Sequence, residues 1–146
     1  SRGMAGGQAI DLAAVGQALT LAELEDMHIH KTGALIRASV LLGALSQPVV
    51  EPAVLERLDH YAKCIGLAFQ IRDDILDVIG DAATLGKNTG ADRALAKPTY
   101  PALLGLEGAR EHARMLHEEA LASLQPLGPE AEPLRGIASY VVERAY

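Results

Sequence analysis

The sequence predicts an all-α protein, and three observations support that class. Apolar residues recur at helical spacing along most of the 146 residues, and no segment alternates apolar with polar residues as a strand would. Glycine and proline separate the periodic segments, as expected at helix ends. Hydrophobic residues make up 49% of the chain, enough for one compact core, so we expect a single domain over residues 1–146.

Two helices are predicted in the first third of the chain, after an opening that is itself unusual. The stretch "SRGMAGGQAIDLAAVG" resembles the middle or end of a helix, and Ser1 is not an initiator methionine, so we expect a fragment of a longer protein. Thr20 and Glu23 have the spacing of a capping box, which predicts a helix over "LAELEDMHIH". Gly33 within "HKTG" weakens a helix, so we expect an interruption there before the apolar stretch "ALIRASVLLGAL".

One long helix is predicted in the middle of the chain. Pro52 suits its first turn, and its apolar residues cover most of its circumference up to Ile79, so we expect burial on most sides. Gly80 is expected to end it. The stretch "DAATLGKNTGADRALAKPTYP" has no sustained period and is interpreted as a long loop, of a kind that is often functional. Two further helices are predicted, over about residues 102–124 and 133–146.

Charge and cysteine content narrow the choice of partners and compartment. The net charge is −6 and there is no basic run, which argues against nucleic acid as a partner. Cys64 is the only cysteine, so no internal disulfide can form, and a reducing compartment, the cytoplasm, is expected. No apolar stretch is long enough to span a membrane, and no secretory leader opens the chain.

Three aspartates lie close together within the apolar segment "FQIRDDILDVIGD". On a helical wheel they share an arc of roughly 100° with Gln70, and Gly66 lies on the same face one turn earlier and leaves space beside it. Short acids beside open space suit a hard cation, and Mg²⁺ needs only one or two carboxylates together with substrate phosphates. The alternative is a solvated acidic face without a ligand. The three candidate metal ligands are Asp73, Asp74 and Asp77.

The lysines strengthen the case for a phosphate site. Three of the four lie at predicted breaks or in the loop: Lys31, Lys87 and Lys97. Point charges of this kind are needed opposite the acidic face to hold a diphosphate that magnesium chelates. "LGKNTG" is not a P-loop, because the upstream glycine is missing and Asn88 stands where Ser or Thr should follow. Lysines and aspartates together indicate a phosphate-and-metal site.

Other candidate sites are weaker. His28 and His30 are two residues apart, so their side chains point to different sides of a helix and cannot share a metal. His112 and His117 are five apart, and we interpret them as surface residues. Cys64 has the character of a small core residue, and no serine carries a nucleophile motif.

Five motifs, taken together and in this order, resemble the trans-isoprenyl diphosphate (polyprenyl) synthase family. They are "GGQAIDL", "HKTGALI", "GLAFQIRDDILD", "TLGK" ending at Lys87, and "KPTYPALLG". The resemblance covers nearly the whole chain, corresponds to the C-terminal half of such enzymes, and is greatest to the bacterial farnesyl diphosphate synthases (geranyltranstransferases).

The resemblance implies an antiparallel helical bundle around a deep cavity, a homodimer, and a Mg²⁺-dependent prenyltransferase. The implied reaction condenses an allylic diphosphate, dimethylallyl or geranyl, with isopentenyl diphosphate. The allylic diphosphate ionises to a carbocation and diphosphate leaves. Asp73 and Asp77 would engage magnesium, with Asp74 supporting the site.

The resemblance also assigns expected roles to other polar residues. Lys31 and Lys97 would hold the allylic diphosphate, and Lys87 would join them as the loop closes. Thr32 and Gln70 would offer oxygens to the carbocation. Two side chains would line the cavity near the first lysine, namely Gln8 and Asp11.

The family has two aspartate-rich motifs, and this chain contains only the second. The first motif and the isopentenyl diphosphate site would precede Ser1, so we expect the chain to be inactive by itself. Two alternatives remain open at this point. One is a class I terpene cyclase, which would normally show an NSE/DTE-type motif and more aromatic residues. The other is a non-catalytic regulatory or interaction subunit with the synthase fold.

Overall fold

The computed structural model describes residues 3–14, 19–85 and 98–144, with side chains to residue 80 in the second range. The described residues contain helices and no strand, which confirms the predicted all-α class. The α-helices are α1 (Met4–Ala14), α2 (Leu21–His28), α3 (Ala34–Leu45), α4 (Pro52–Leu85), α5 (Tyr100–Leu124) and α6 (Glu132–Glu143). Short 3₁₀ turns cover Gln125–Leu127 and Pro129–Ala131.

Helix α2 begins at the predicted capping box. The Thr20 hydroxyl accepts a hydrogen bond from the Glu23 backbone N–H at 3.3 Å, and the Glu23 carboxylate accepts one from the Thr20 N–H at 2.8 Å. The prediction that the helix is interrupted at Gly33 was wrong. The chain continues helically through a π-helical turn, Ile29–Gly33, which we call the π segment, and passes directly into α3. Such turns are rare and frequently occur at functional sites.

Helix α4 is the axis of the structure. It starts at Pro52 as predicted, but it continues past Gly80 to Leu85, so the predicted end was wrong. A glycine in mid-helix costs only about 1 kcal/mol, which a helix of 34 residues tolerates. Its middle is buried on several sides, as expected, and its most extensive packing within the described residues is against α5.

Helix α5 begins at Tyr100, two residues before the predicted start. The Thr99 side chain caps it by accepting a hydrogen bond from the Ala102 N–H at 3.3 Å, and Pro101 occupies the first turn. Gly105 kinks the helix with a φ of 73°, a left-handed conformation that favours glycine. At this first turn, the Tyr100 backbone N–H donates a hydrogen bond to Asp74 of α4.

One hydrophobic core joins these helices. Its largest fully buried side chains come from α2, α4 and α5 and are Leu24, Met27, Tyr61, Ile71, Ile75, Tyr100 and Leu124. The Tyr61 hydroxyl donates a hydrogen bond to the Leu134 carbonyl at 2.8 Å and so ties α4 to α6. Within the described ranges, every helix is too short or too polar to cross a bilayer.

Candidate functional site

Three glycines allow the π segment to pack tightly between α1 and α4. A Cβ added at Gly7 would lie 2.1 Å from the Lys31 backbone nitrogen, so α1 reaches the π segment backbone to backbone. A Cβ at Gly66 would lie 3.2 Å from the Gly33 Cα. The space that we predicted beside Gly66 for a ligand is therefore filled by the π segment. This contact instead fixes the position of Lys31 and Thr32 along the axis of α4.

Lys31 and Asp11 lie close together, as the family resemblance implied. The Lys31 ammonium donates a hydrogen bond to the Asp11 carboxylate at 2.5 Å, and about a third of each side chain is exposed. This pair joins the π segment to α1. Gln8 lies on α1 beside Gly7 and is exposed. Because Lys31 is paired but still reachable from solvent, an anion could exchange with the Asp11 carboxylate.

A chain of hydrogen bonds continues from the π segment along α4. The Thr32 hydroxyl donates to the Gln70 side-chain oxygen at 3.3 Å, and the Gln70 amide donates to Asp74 Oδ1 at 3.2 Å. The other oxygen of Asp74 accepts a hydrogen bond from the Tyr100 backbone N–H at 3.1 Å. Four polar groups on three elements are thus connected in sequence, which orients Thr32 and Gln70.

Asp74 is the most buried of the three aspartates. Burial is the main influence that raises its pKa to about 6, the Asp77 and Asp73 charges add to the shift, and the Tyr100 N–H and Gln70 amide oppose it. Its two oxygens are already occupied by hydrogen bonds. Asp74 therefore anchors the start of α5 to α4.

Asp73 and Asp77 lie nearer the surface, one helical turn apart. Asp73 is half-buried and forms an ion pair with Arg144, whose guanidinium also packs 4.2 Å from the centroid of the Phe69 ring. Asp77 is exposed, and no other described residue forms a hydrogen bond or ion pair with it. The three aspartates share one helix face as predicted, but each meets different surroundings. Lys87 and Lys97, the remaining predicted phosphate ligands, lie outside the described residues.

Sequence reasoning missed the neighbours that hold these side chains. Arg144 lies 71 residues after Asp73, and Arg72 fixes its carbonyl with two hydrogen bonds of 2.9 and 2.6 Å. Tyr100 binds Asp74 through its backbone, which has no signature in a side-chain pattern. The "TYP" sequence that starts α5 was the available signal, since a capping threonine followed by proline marks a helix start.

His28 lies buried beneath the site. Its ring stacks on the Tyr100 ring with centroids 5.6 Å apart, and neither ring nitrogen has a hydrogen-bond partner among the described residues. Burial, and then the positive charge of Lys31, lower the pKa of His28 to about 4. The ring is therefore neutral at physiological pH and contributes packing below the polar chain.

The other histidines and the cysteine follow the predictions in part. His112 is half-buried with its Nε2 3.1 Å from a Glu25 oxygen, and His117 is half-buried near the Ser139 hydroxyl, so the surface interpretation was wrong for both. Each packs at a helix–helix contact, which a single-helix pattern does not reveal. Cys64 is buried, which confirms the predicted core position.

The donors at this site are of the kind that hold a hard cation and an anion together. Asp73 and Asp77 offer carboxylate oxygens one turn apart at the surface, which is the chemistry that Mg²⁺ prefers. Lys31, on the facing π segment, offers a positive charge. A diphosphate needs both partners, because its charge must be met by metal and ammonium groups.

Comparisons with known proteins identify the family of the chain. The sequence profile of the polyprenyl synthetase family, "Polyprenyl synthetase", matches residues 1–126. Farnesyl diphosphate synthase of Escherichia coli K12 is 55% identical over 145 residues, which are 97% of this chain and 48% of that protein. The chain thus spans about half the length of the curated relatives that it matches.

Solved structures show the same relationship. An apo FPP/GFPP synthase from Zymomonas mobilis matches with a TM-score of 0.79 and 41% identity, over 96% of this chain and 45% of that one. A geranyltransferase from Helicobacter pylori, complexed with magnesium and isoprenyl diphosphate, matches with a TM-score of 0.76 and 34% identity. That match covers 97% of this chain and 46% of the other.

Proposed function

Since the chain belongs to the polyprenyl synthetase family, we propose that it supplies the magnesium- and diphosphate-binding part of a prenyltransferase. The enzyme would condense an allylic diphosphate, dimethylallyl or geranyl, with isopentenyl diphosphate. The Helicobacter pylori relative, complexed with magnesium and isoprenyl diphosphate, supports this choice of ligands. The homodimer expected from the resemblance stays a prediction.

The polar chain between the π segment and α4 is the observation that carries the proposal. The Thr32 and Gln70 side chains are half-buried, and a hydrogen bond of 3.3 Å between them fixes their orientation. Lys31 lies next to Thr32, and the carboxylates of Asp73 and Asp77 follow Gln70 along α4. Lys31 and a metal held by the carboxylates would both bind the diphosphate, and the neutral oxygens of Thr32 and Gln70 between them would face its allylic carbon.

The proposed step breaks the allylic carbon–oxygen bond, and the bonding electrons leave with the diphosphate. Lys31 would stabilise that departing charge, and Mg²⁺, when bound, neutralises more of it. The Thr32 and Gln70 oxygens would lie against the carbocation with their lone pairs, since a fixed dipole stabilises a cation without reorganising. The double bond of isopentenyl diphosphate then forms the new carbon–carbon bond, and a proton is lost.

The aspartates would hold magnesium unequally. Asp77 is free to coordinate, whereas Asp73 must exchange its ion pair with Arg144 for the metal. Asp74 would act behind them, because its oxygens hold Gln70 and the Tyr100 N–H. Lys87 and Lys97 would complete the diphosphate site. The chain carries one aspartate-rich motif, so we expect it to bind magnesium diphosphate by itself without completing a condensation.

A thermal melt tests this proposal. Inorganic diphosphate with Mg²⁺ should raise the melting temperature of the 146-residue chain, because a ligand that binds only the folded state stabilises it. At a concentration of about 100 times Kd the free energy of unfolding rises by about 2.7 kcal/mol. Asp77→Asn and Lys31→Gln should each lose most of that increase.

Two matched variants control for charge alone. Glu56→Gln removes an exposed carboxylate from the same helix, about 30 Å from Asp77, and Lys63→Gln removes an exposed ammonium. Both should keep the full increase in melting temperature. If all four variants respond alike, the binding is non-specific and the assignment of Asp77 and Lys31 is wrong. Product formation by the chain alone would contradict the expectation that it cannot complete a condensation.

A further inference from the structure

We propose that His60, Cys64 and Glu119 form a second metal site, for a zinc-type divalent cation, with solvent as the fourth ligand. This cluster lies outside the polar chain described above. Cys64 precedes Asp73 by nine residues on α4, which is about 14 Å along the helix. The proposal is independent of the prenyltransferase chemistry.

The distances between the candidate ligand atoms are close to those that one metal ion needs. Cys64 Sγ lies 3.7 Å from His60 Nε2 and 3.8 Å from Glu119 Oε2, and those last two atoms are 3.7 Å apart. Zinc bonds are about 2.3 Å to sulfur and about 2.0–2.1 Å to nitrogen or oxygen. At tetrahedral angles they place neighbouring ligand atoms roughly 3.3–3.6 Å apart. The cluster therefore needs side-chain shifts of only a few tenths of an ångström.

The backbone of this cluster is held by packing. His60 and Cys64 are four residues apart on α4, so their side chains lie on one face one turn apart. Glu119 comes from α5, the helix against which α4 packs most extensively among the described residues. An ion bound here would link the two central helices.

Exposure gives the ion an entry path. Cys64 is only 3% exposed, whereas the His60 and Glu119 side chains are 56% and 54% exposed. The sulfur thus forms the floor of the site and the other two ligands form its rim, open to water. Three protein ligands and one open position are the arrangement in which zinc keeps a bound water.

Ligand softness separates this site from the aspartate site. A thiolate selects zinc and similar ions, while carboxylates such as Asp73 and Asp77 suit Mg²⁺. Metal binding replaces the proton on Cys64 Sγ with a metal–sulfur bond, and the proton leaves to solvent. We therefore expect Zn²⁺ to bind this site in the presence of excess Mg²⁺.

Cobalt titration of the full 146-residue chain tests the proposal. Co²⁺ substitutes for Zn²⁺, and a thiolate ligand gives it a sulfur-to-metal charge-transfer band. Cys64 is the only cysteine, so any such band, and any protection from thiol alkylation, reports this site alone. We expect one equivalent of Co²⁺ to give the band, Zn²⁺ to abolish it by displacement, and Mg²⁺ to leave it unchanged.

The variants distinguish a three-ligand site from binding by sulfur alone. Cys64→Ser should lose the band. His60→Ala and Glu119→Gln should each weaken Co²⁺ binding at least about tenfold, because even the loss of a residue that only supports a metal ligand often weakens metal binding by that factor. Both rim residues are exposed, so their variants should fold, which circular dichroism checks. His117→Ala, on the same helix as Glu119, is the matched control and should bind normally.

Two results would overturn the proposal. One is the absence of both the band and the alkylation protection in the unmodified chain. The other is an unchanged cobalt affinity in both His60→Ala and Glu119→Gln, which would leave Cys64 as a lone thiol that binds metal weakly.

Discussion

Replacement of Gly7 by alanine tests the contact that holds the π segment in place. The added Cβ would lie 2.1 Å from the Lys31 nitrogen, 2.4 Å from the Lys31 Cα and 2.6 Å from the His30 carbonyl carbon. These are backbone atoms, so no side-chain rotation can relieve the overlap. Ordinary contact begins at 3.4 Å, so α1 must move by about 1.3 Å, the difference between 3.4 and 2.1 Å. The Lys31–Asp11 bond would lengthen as a result.

The magnitude follows from two opposing effects. Overpacking of a close contact typically costs about 1–3 kcal/mol, and rigid backbone neighbours favour the upper end. Replacing a glycine within a helix by alanine raises the free energy of unfolding by about 0.5–1 kcal/mol, because alanine favours the helix. We expect Gly7→Ala to lower the free energy of unfolding by about 2 kcal/mol. For a chain of this length, that lowers the melting temperature by about 4–8 °C.

Urea unfolding followed by circular dichroism measures the change, and Gly43→Ala is its control. Gly43 is an exposed glycine in α3, and a Cβ there would meet nothing within 4 Å. Gly43→Ala should therefore stabilise the protein by about 0.5–1 kcal/mol. If Gly7→Ala proves as stable as Gly43→Ala, α1 does not approach Lys31 as described and the account of the π segment is wrong.

Three further predictions follow from single contacts. Folded His28 has a pKa of about 4, whereas unfolded His28 takes up its proton near pH 6.5, so the free energy of unfolding should fall between pH 6.5 and 4, by up to about 3 kcal/mol. His28→Phe should lose that slope, so the difference in urea stability between the unmodified chain and the variant should change between pH 6.5 and 4, and parallel pH profiles would refute the assignment. Arg144→Gln removes the ion-pair partner of Asp73 and should lower the free energy of unfolding by about 1–3 kcal/mol. The same variant should bind Mg²⁺-diphosphate several-fold more tightly in a calorimetric titration. Weaker binding would contradict the idea that Arg144 and the metal compete for Asp73. Tyr61→Phe removes the donor to the Leu134 carbonyl and should cost about 1–3 kcal/mol in urea unfolding, and an unchanged midpoint would count against that bond.

Local signals in the sequence predicted much of the architecture. The Thr20–Glu23 capping box and the first-turn Pro52 mark helix starts that the structure confirms, because caps and prolines act within one or two turns. The predicted end at Gly80 was wrong, since packing along α4 outweighs the weak preference of one glycine. The break expected at Gly33 became a π-helical turn for a similar reason, its tight contact with α4.

The sequence by itself determined the all-α class and the acidic face of α4, because periodicity and motif spacing are local properties. Only the tertiary structure decided which partner each side chain has. Asp73 meets Arg144 and Asp74 meets the Tyr100 N–H because α6 and α5 return to the same stretch of α4. Such long-range pairs depend on how helices pack, and helix packing follows from the joint shape of several surfaces rather than from any one segment.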